Sequence, residues 1–542
     1  MAVVGNDVVE SARFVVTGKR YGEGRLVVVQ FLRCTARRQG WCQPRMGRQL
    51  FAWLACVAVS MCLAVSCGTS PTVGLVDLSI NGGRVMDPET GLDAVRNVAV
   101  RAGVIVAVDQ QTYPAVSTVD ATGLVVAPGF IDLHAHGQDA ESRRYQARDG
   151  VTAAMELEIG VYPIDTWYAA QSGQSLIHYG ASVSHQGARR EAFGAVIAET
   201  GDGSTFMLGR GGRSDAYLYE SASEEELRRL TFLLERGLDQ GGLGVGFGIS
   251  YTPGASHEEL WRLFAAAADR QLAVFIHLRS SGAFDAGGAI APFQEVLANA
   301  ASTGVALHIV HMNSSAGEAA PAVLELIRGA QAHGVDVTTE AYPYTASASR
   351  IESALFDGWD GRPMADYERL QWVETGERLT ESSFRRYRDQ GGWVIMHGRS
   401  EATNEWIVSQ PDVIVASDGI PFDQGRAHPR GAGTFARVLG YYVRERGVLS
   451  LMDGLRKMTL LPAERLASVV PEMATKGRVQ VGADADLTLF DPDQIIDRAT
   501  YGAPDRYSDG IRHVLVSGTF VVRDGELVEN VAPGQAIKAQ VP

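Results

Sequence analysis

From residue 128 to residue 417 the chain alternates between two rhythms. Short runs of apolar, β-branched and small residues end in a polar or charged side chain. Between most of them lie longer stretches with an apolar residue at every third or fourth position. The first rhythm suits a parallel strand buried on both faces, the second an amphipathic helix laid over it. Eight strands are predicted, over 128–135, 152–158, 180–185, 242–248, 272–278, 306–311, 335–342 and 412–417. The clearest helices are SEEELRRLTFLLERGLDQ (223–240) and HEELWRLFAAAADRQ (257–271), each with a Ser or His near its start. Polar residues gather at the C-terminal ends of the strands, which favours an α/β fold closed as a (β/α)8 TIM-type barrel over an open sheet. Residues 346–392, between the last two strands, are long and irregular and predict a lid or small insertion.

The flanks differ in style. Residues 75–127 and 478–530 break into short β segments punctuated by Gly-Gly, Asp-Pro and Ala-Thr-Gly turns. One small β-sandwich built from both ends of the mature chain is expected there, with the barrel over 128–477.

The N-terminus reads as a targeting segment. After Arg48, Leu50–Val65 is an apolar run of signal-peptide length that closes on Leu63-Ala-Val-Ser-Cys67 and a Gly-Thr-Ser-Pro spacer. This resembles a bacterial lipoprotein cleavage box, with Cys67 as the lipidated first residue. Residues 46–67 are therefore expected to export the chain to the cell envelope, its membrane contact limited to a lipid anchor at Cys67. Residues 1–45 do not read as a domain and predict a mis-called or disordered extension, with Met46 as the start.

Composition sharpens this division. Residues 1–66 hold nine Lys and Arg against three Asp and Glu, so the remainder carries 40 basic and 60 acidic residues, a net −20. An acidic body excludes nucleic acid as the expected partner. All five cysteines lie at or before Cys67, and the only lysines are Lys19, Lys457, Lys476 and Lys538. The body thus has no thiolate ligand, and no predicted strand holds a lysine.

The chemistry collects at strand ends. His134 and His136 close the first strand and share a face by the two-residue period. At the open mouth of a barrel, two imidazoles on one face make half a metal site. In the second strand Glu156 and Glu158 share a face, and buried carboxylates call for a partner or a metal. The fifth brings His277, with Arg279 on the same face two residues on. The sixth holds His308 and His311 at odd spacing, so only one is expected to look inward. His311 is nearer the mouth, and His308 is expected to be a core or helix-facing residue. The eighth delivers Asp418. Four histidines, a glutamate and an aspartate suit a binuclear zinc site, with Asp418 placed to carry a proton from water to a leaving nitrogen. His178, His257, His333 and His513 are expected at the surface or in caps, and His185 and His397 near the ligands.

At this point the chain resembles a known group. APGFIDLHAH (127–136), DGVT (149–152), SHQGAR (184–189), IHLRS (276–280), IVHMN (309–313), YPYTAS (342–347), ASDG (416–419), HPRGAGTFARVL (428–439), KMTLLPAERL (457–466) and GADADLTLFDP (482–492) follow one another in its order. Together they are similar to the N-acyl-D-amino-acid deacylase (D-aminoacylase) branch of the metal-dependent amidohydrolase superfamily, over about residues 75–530. The resemblance implies hydrolysis of the linear amide of a small acylated D-amino acid to a carboxylate and a free amino acid. It assigns metal roles to His134, His136, His277, His311 and Asp418, and places Tyr344 and Arg430 near the substrate's carboxylate or scissile carbonyl. Arg279 is a further anion-binding candidate, because a guanidinium can grip a carboxylate through two parallel bonds.

Two departures stand out. Deacylases of this branch place a metal-ligating cysteine in a Gly-Asn-Cys-Gly turn after the second strand, where this chain reads Glu156-Leu-Glu-Ile-Gly160. Related amidohydrolases bridge their metals with a carboxylated lysine, which this chain has in no predicted strand. A glutamate is the remaining bridge, Glu158 ahead of Glu156, and its harder oxygens extend the expected metals from one or two zinc ions to manganese or iron. Asn313 stands where the deacylases have a lysine. A cyclic-amide hydrolase or a deaminase is the competing reading, and a non-catalytic metal-binding surface lipoprotein the third. Oligomeric state is not legible in the sequence.

Overall fold

The computed structural model describes residues 74–195, 215–280 and 288–540. Eight parallel strands form one sheet in chain order: Phe130–Asp132, Val151–Val161, His178–Ser184, Gly244–Gly248, Ala273–His277, Ala306–Ile309, Val337–Ala341 and Val413–Val415. The first and last are joined at their C-terminal ends. Asp418 donates its N–H to His134 O at 2.7 Å and His136 donates to Gly419 O at 2.9 Å. Asp132 Oδ1 accepts from the amides of His134 and Ser417, at 3.1 and 2.9 Å, and so staples the two ends of the sheet. The result is a closed (β/α)8 barrel. Its interior admits little bulk: a Cβ on Gly246 would stand 2.7 Å from both Leu157 O and Glu158 O.

The helices follow the apolar period. Ser223 caps Glu224–Asp239 through a reciprocal box with Glu226, and Leu227, Leu230, Leu233, Leu234 and Leu238 are buried. Ser256, not His257, caps His257–Asp269.

A second sheet has nine strands from both ends of the described chain, wrapped around Leu78, Ile80, Val98, Val126, Leu487 and Leu515 in a sandwich-like domain. Its two halves meet where Val125–Pro128 pairs antiparallel with Leu487–Phe490. His178, on the third barrel strand, contacts Asp486 at 3.1 Å, and Lys476 reaches Asp486 at 2.6 Å and Asp484 at 2.9 Å. His178 and His513 are therefore buried rather than at the surface, because both sit in this β-rich interior. His257 and His333 are exposed.

Between the seventh and eighth barrel strands lies a three-stranded antiparallel sheet of Ser347–Arg350, Leu370–Trp372 and Trp393–Met396, over its own core of Phe356, Trp359, Tyr367, Trp372 and Phe384. Its central strand, Trp393–Met396, lies beyond the 392 limit read from the sequence. The signal peptide, the lipoprotein box and residues 1–45 lie outside the described residues.

Candidate active site

The centre is built around one carboxylate. Glu158 sits in the long second strand, Val151–Val161, every residue of which is buried. Its Oε2 stands 3.2 Å from His134 Nε2 and 3.2 Å from His136 Nε2. Its Oε1 stands 2.7 Å from His277 Nδ1 and 2.8 Å from His311 Nε2. Asp418 Oδ1 faces the first pair, 3.5 Å from His134 Nε2 and 3.4 Å from His136 Nε2. Two donor groups result, His134–His136–Glu158–Asp418 and Glu158–His277–His311, with Glu158 common to both.

The backbone is bent to make this meeting. His134 and His136 lie just past the first strand, and their facing is held by ladder contacts such as Ala135 N to Met155 O at 2.8 Å. His311 (φ 32°) and Asp418 (φ 52°) both adopt the left-handed region, sparsely populated for residues with a side chain. The turn at His311 overrides strand alternation. The sixth strand ends at Ile309, so His308 and His311 lie on the same side despite their odd spacing. His308 is buried in the barrel interior, not against the helices: its Nε2 is 2.9 Å from Glu340 Oε2, whose Oε1 is 2.6 Å from His134 Nδ1.

These outer contacts fix the ring orientations. Glu340 on His134 Nδ1, and Glu156 Oε2 at 2.8 Å on His136 Nδ1, take up those N–H groups and leave both Nε2 lone pairs turned inward. The two Nε2 atoms stand only 3.2 Å apart. Acceptors crowded this closely, with carboxylate oxygens beside them, suit a divalent cation, and His/Glu/Asp donors are of the type that binds zinc, manganese or iron. The residues present therefore fit a divalent metal centre.

Electrostatics agree. Burial pushes the His134 and His136 imidazoles down, but Glu158, Asp418 and Glu340 around the first, and Glu156 and Asp418 around the second, outweigh it and raise both. Burial pushes Glu158 up, and His134 and His277 pull it well below the usual carboxylate range. Burial likewise raises Asp418, and Arg430 and His134 more than reverse it. Burial lowers the His311 imidazole against the pull of Glu158.

Of the remaining sequence candidates, Glu156 is not between the pairs but on the outer nitrogen of His136. Arg430 is buried behind Asp418, with Nη2 2.8 Å from Oδ1, and does not line the pocket. Arg279 is turned away from the pocket. The strand ends at His277, and the guanidinium pairs with Glu295 at 2.9 Å and donates to Ala255 O at 2.7 Å. Tyr344 is buried with its hydroxyl 3.0 Å from Asp497. Asn313 is spent on Tyr342 O and Asn404, both at 2.9 Å. His185 pairs with Glu259 at 2.8 Å, among the helices that carry both.

The ligands floor a pocket of about 870 Å³, part of it open to solvent, whose walls include Tyr251 and, from the insertion, Leu355, Arg369, Trp393, Met396, His397 and Arg399. His397 thus lines the pocket away from the donors, and burial, with Arg378 adding to it, brings its imidazole down to about 4. Sequence reasoning missed Glu340, Asp132 and the two arginines of the insertion that line the pocket. Glu340 carried a signal, as an acidic residue near the C-terminal end of a predicted strand. Arg369 and Arg399 lie in irregular chain with none.

Comparison with known proteins agrees with this geometry. The sequence profile of the amidohydrolase family matches residues 225–522. The chain is 32% identical over 476 residues to the N-acyl-D-glutamate deacylase of Alcaligenes xylosoxydans xylosoxydans, covering 82% of this chain and 93% of the relative. It is 28% identical over 479 residues to the D-aminoacylase of the same organism, covering 82% and 94%. The crystal structure of N-acyl-D-glutamate deacylase from Bordetella bronchiseptica, complexed with zinc and a phosphonate inhibitor mimicking the tetrahedral intermediate, superposes with a TM-score of 0.71 at 27% identity, over 86% of this chain and 100% of that one.

Proposed function

Because the chain belongs to the amidohydrolase family, we propose that it hydrolyses the linear amide of N-acyl-D-amino acids, releasing a carboxylate and a free D-amino acid. The observation that carries this reading is Glu158, one carboxylate with an oxygen on each of two histidine pairs, at the floor of a pocket large enough for a small substrate.

His134, His136, Glu158 and Asp418 would hold one divalent ion, and Glu158, His277 and His311 a second. Such an ion polarises the amide carbonyl and acidifies a water molecule. The protein supplies the proton path. Asp418 is kept ionised by Arg430 at 2.8 Å and faces the pocket. It takes a proton from the attacking water as the C–O bond forms. It gives that proton to the nitrogen as the C–N bond breaks, so the amine leaves neutral. Glu340 and Glu156 orient His134 and His136 and take no part in the proton transfer.

The test is metal analysis of the purified body together with turnover on paired D and L N-acyl amino acids. Bound metal and release of the D-amino acid are expected. Ammonia release, or ring opening of a cyclic amide without hydrolysis of the linear substrate, would overturn the reading. We also propose export and lipid anchoring at Cys67, which the sequence around that residue supports. Membrane fractionation of wild type against Cys67→Ala checks it, with release of the variant expected.

A further inference from the structure

We propose that Arg399 is the carboxylate-binding residue of this site, and that ligands are recognised through the α-carboxylate of their amino-acid half. The proposal rests on the deacylase reading and specifies how the substrate is held.

Arginines near the centre differ in what they already face. Arg430 is paired with Asp418, Arg279 with Glu295, Arg437 with Asp497 at 3.4 Å and Arg350 with Glu352 at 2.8 Å. Each offers its charge to a carboxylate of the protein. Arg399 lines the pocket and has no ion pair among the described residues. Its Nη2 donates to neutral acceptors, Tyr342 Oη at 2.8 Å and Tyr344 O at 3.2 Å, and its Nε is buried without a hydrogen-bond partner. A buried guanidinium donor with no acceptor is costly, and a carboxylate from the ligand removes that cost.

The surroundings fix the group in place. The guanidinium lies 5.0 Å from the Tyr342 ring centroid, and Arg430 lies 4.6 Å from the same ring. Tyr342 thus sets the spacing between the arginine that serves Asp418 and the one on the pocket wall. Next to Arg399, Gly398 (φ 139°) takes a backbone conformation that side chains rarely adopt, and a Cβ there would stand 2.2 Å from Arg369 Nη2. The glycine lets the Arg369 guanidinium lie against the chain beside Arg399. His397, the insertion's histidine on this wall, is brought down to about 4 by burial, with Arg378 adding to it, so the positive charge of the insertion's side of the pocket rests on its arginines. Leu355, Trp393 and Met396 supply apolar wall in the same pocket.

Calorimetric titration of the zinc-loaded wild-type protein with the amino-acid halves of the substrates reads binding without consuming the ligand, and leaves Arg430 paired with Asp418. The probes are D-glutamate and D-methionine, each against its α-carboxamide. The parent should prefer the carboxylates, and Arg399→Gln should weaken them by about 10- to 100-fold while leaving the carboxamides unchanged. Arg399→Lys should recover part of the loss, and zinc content and thermal unfolding of both variants should match the parent. Three results would overturn the proposal: no preference in the parent, equal carboxylate affinity in Arg399→Gln, or an equal loss for acid and carboxamide. Arg399-dependent binding combined with no release of amino acid from N-acetyl-D-glutamate or N-acetyl-D-methionine would sink the deacylase reading while the carboxylate site stands.

Discussion

Glu158 and Glu156 are two residues apart on one strand and do different work. Glu158 stands between the two histidine pairs, whereas Glu156 holds the outer nitrogen of His136. Glu158→Ala should therefore strip the centre of most of its metal, measured by elemental analysis after dialysis. Glu156→Ala should keep metal at saturating concentration and bind it about 10- to 100-fold more weakly, as removal of an orienting carboxylate does. Glu340→Gln should behave like Glu156→Ala in a chelator competition, since Glu340 contacts His134 at 2.6 Å and no other ligand histidine. Equal occupancy in Glu158→Ala and wild type would remove the bridging role. The six residues gathered here were legible because each is a polar side chain in or just after a strand-like run, near its C-terminal end. His308 is the core residue expected of it, but its facing was misread because it was inferred from a strand that stops at Ile309, after which His311 turns left-handed. Arg279 was misread the same way, its strand ending at His277.

Each barrel strand announced itself as a run of small and β-branched residues, so all eight segments read from the sequence overlap observed strands. The insertion gave no such sign. Its strands are three or four residues long, and its core is aromatic stacking such as Trp372 on Tyr387, with centroids 4.1 Å apart. Short antiparallel strands stabilised by such packing carry no period that a sequence scan can count. The fourth barrel strand makes a sharper test of how the elements position chemistry. Gly246 lies against Leu157 O and Glu158 O, and a Cβ there would approach both to 2.7 Å. Backbone oxygens cannot swing aside, so Gly246→Ala must shift the second strand where it carries Glu158. A loss of roughly 1–3 kcal/mol in stability is expected, with weakened metal binding alongside it. Thermal unfolding and metal titration of the same preparation read the two together.

Two buried lysines tie the molecule together, and they should respond to pH in opposite ways. Lys476 joins the barrel to the sandwich-like domain through Asp486, Asp484 and His178. Burial lowers it, and the two aspartates raise it above its ordinary value. Its contribution is complete below the unfolded pKa and is lost only as pH climbs through the folded one. Lys476→Met should cost about 3–5 kcal/mol, because it leaves Asp486 buried without its cation. Lys457, in the helix Leu451–Met458, donates to Gln410 O, a neutral acceptor, and pairs with no carboxylate among the described residues. Burial brings it down to about 7, against the pull of Asp412 and Asp453. The unfolded chain then holds a proton that the folded protein has lost between about pH 7 and the ordinary lysine value of 10.5. Stability from this group therefore rises with pH across that window, by at most about 1.4 kcal/mol per unit. Urea unfolding at successive pH values from neutrality upward should show this slope in wild type and a flatter one in Lys457→Met. The variant should gain most near neutrality, where the folded protein otherwise accommodates an ammonium without a counter-charge. An unchanged slope would mean that Lys457 stays protonated in the fold.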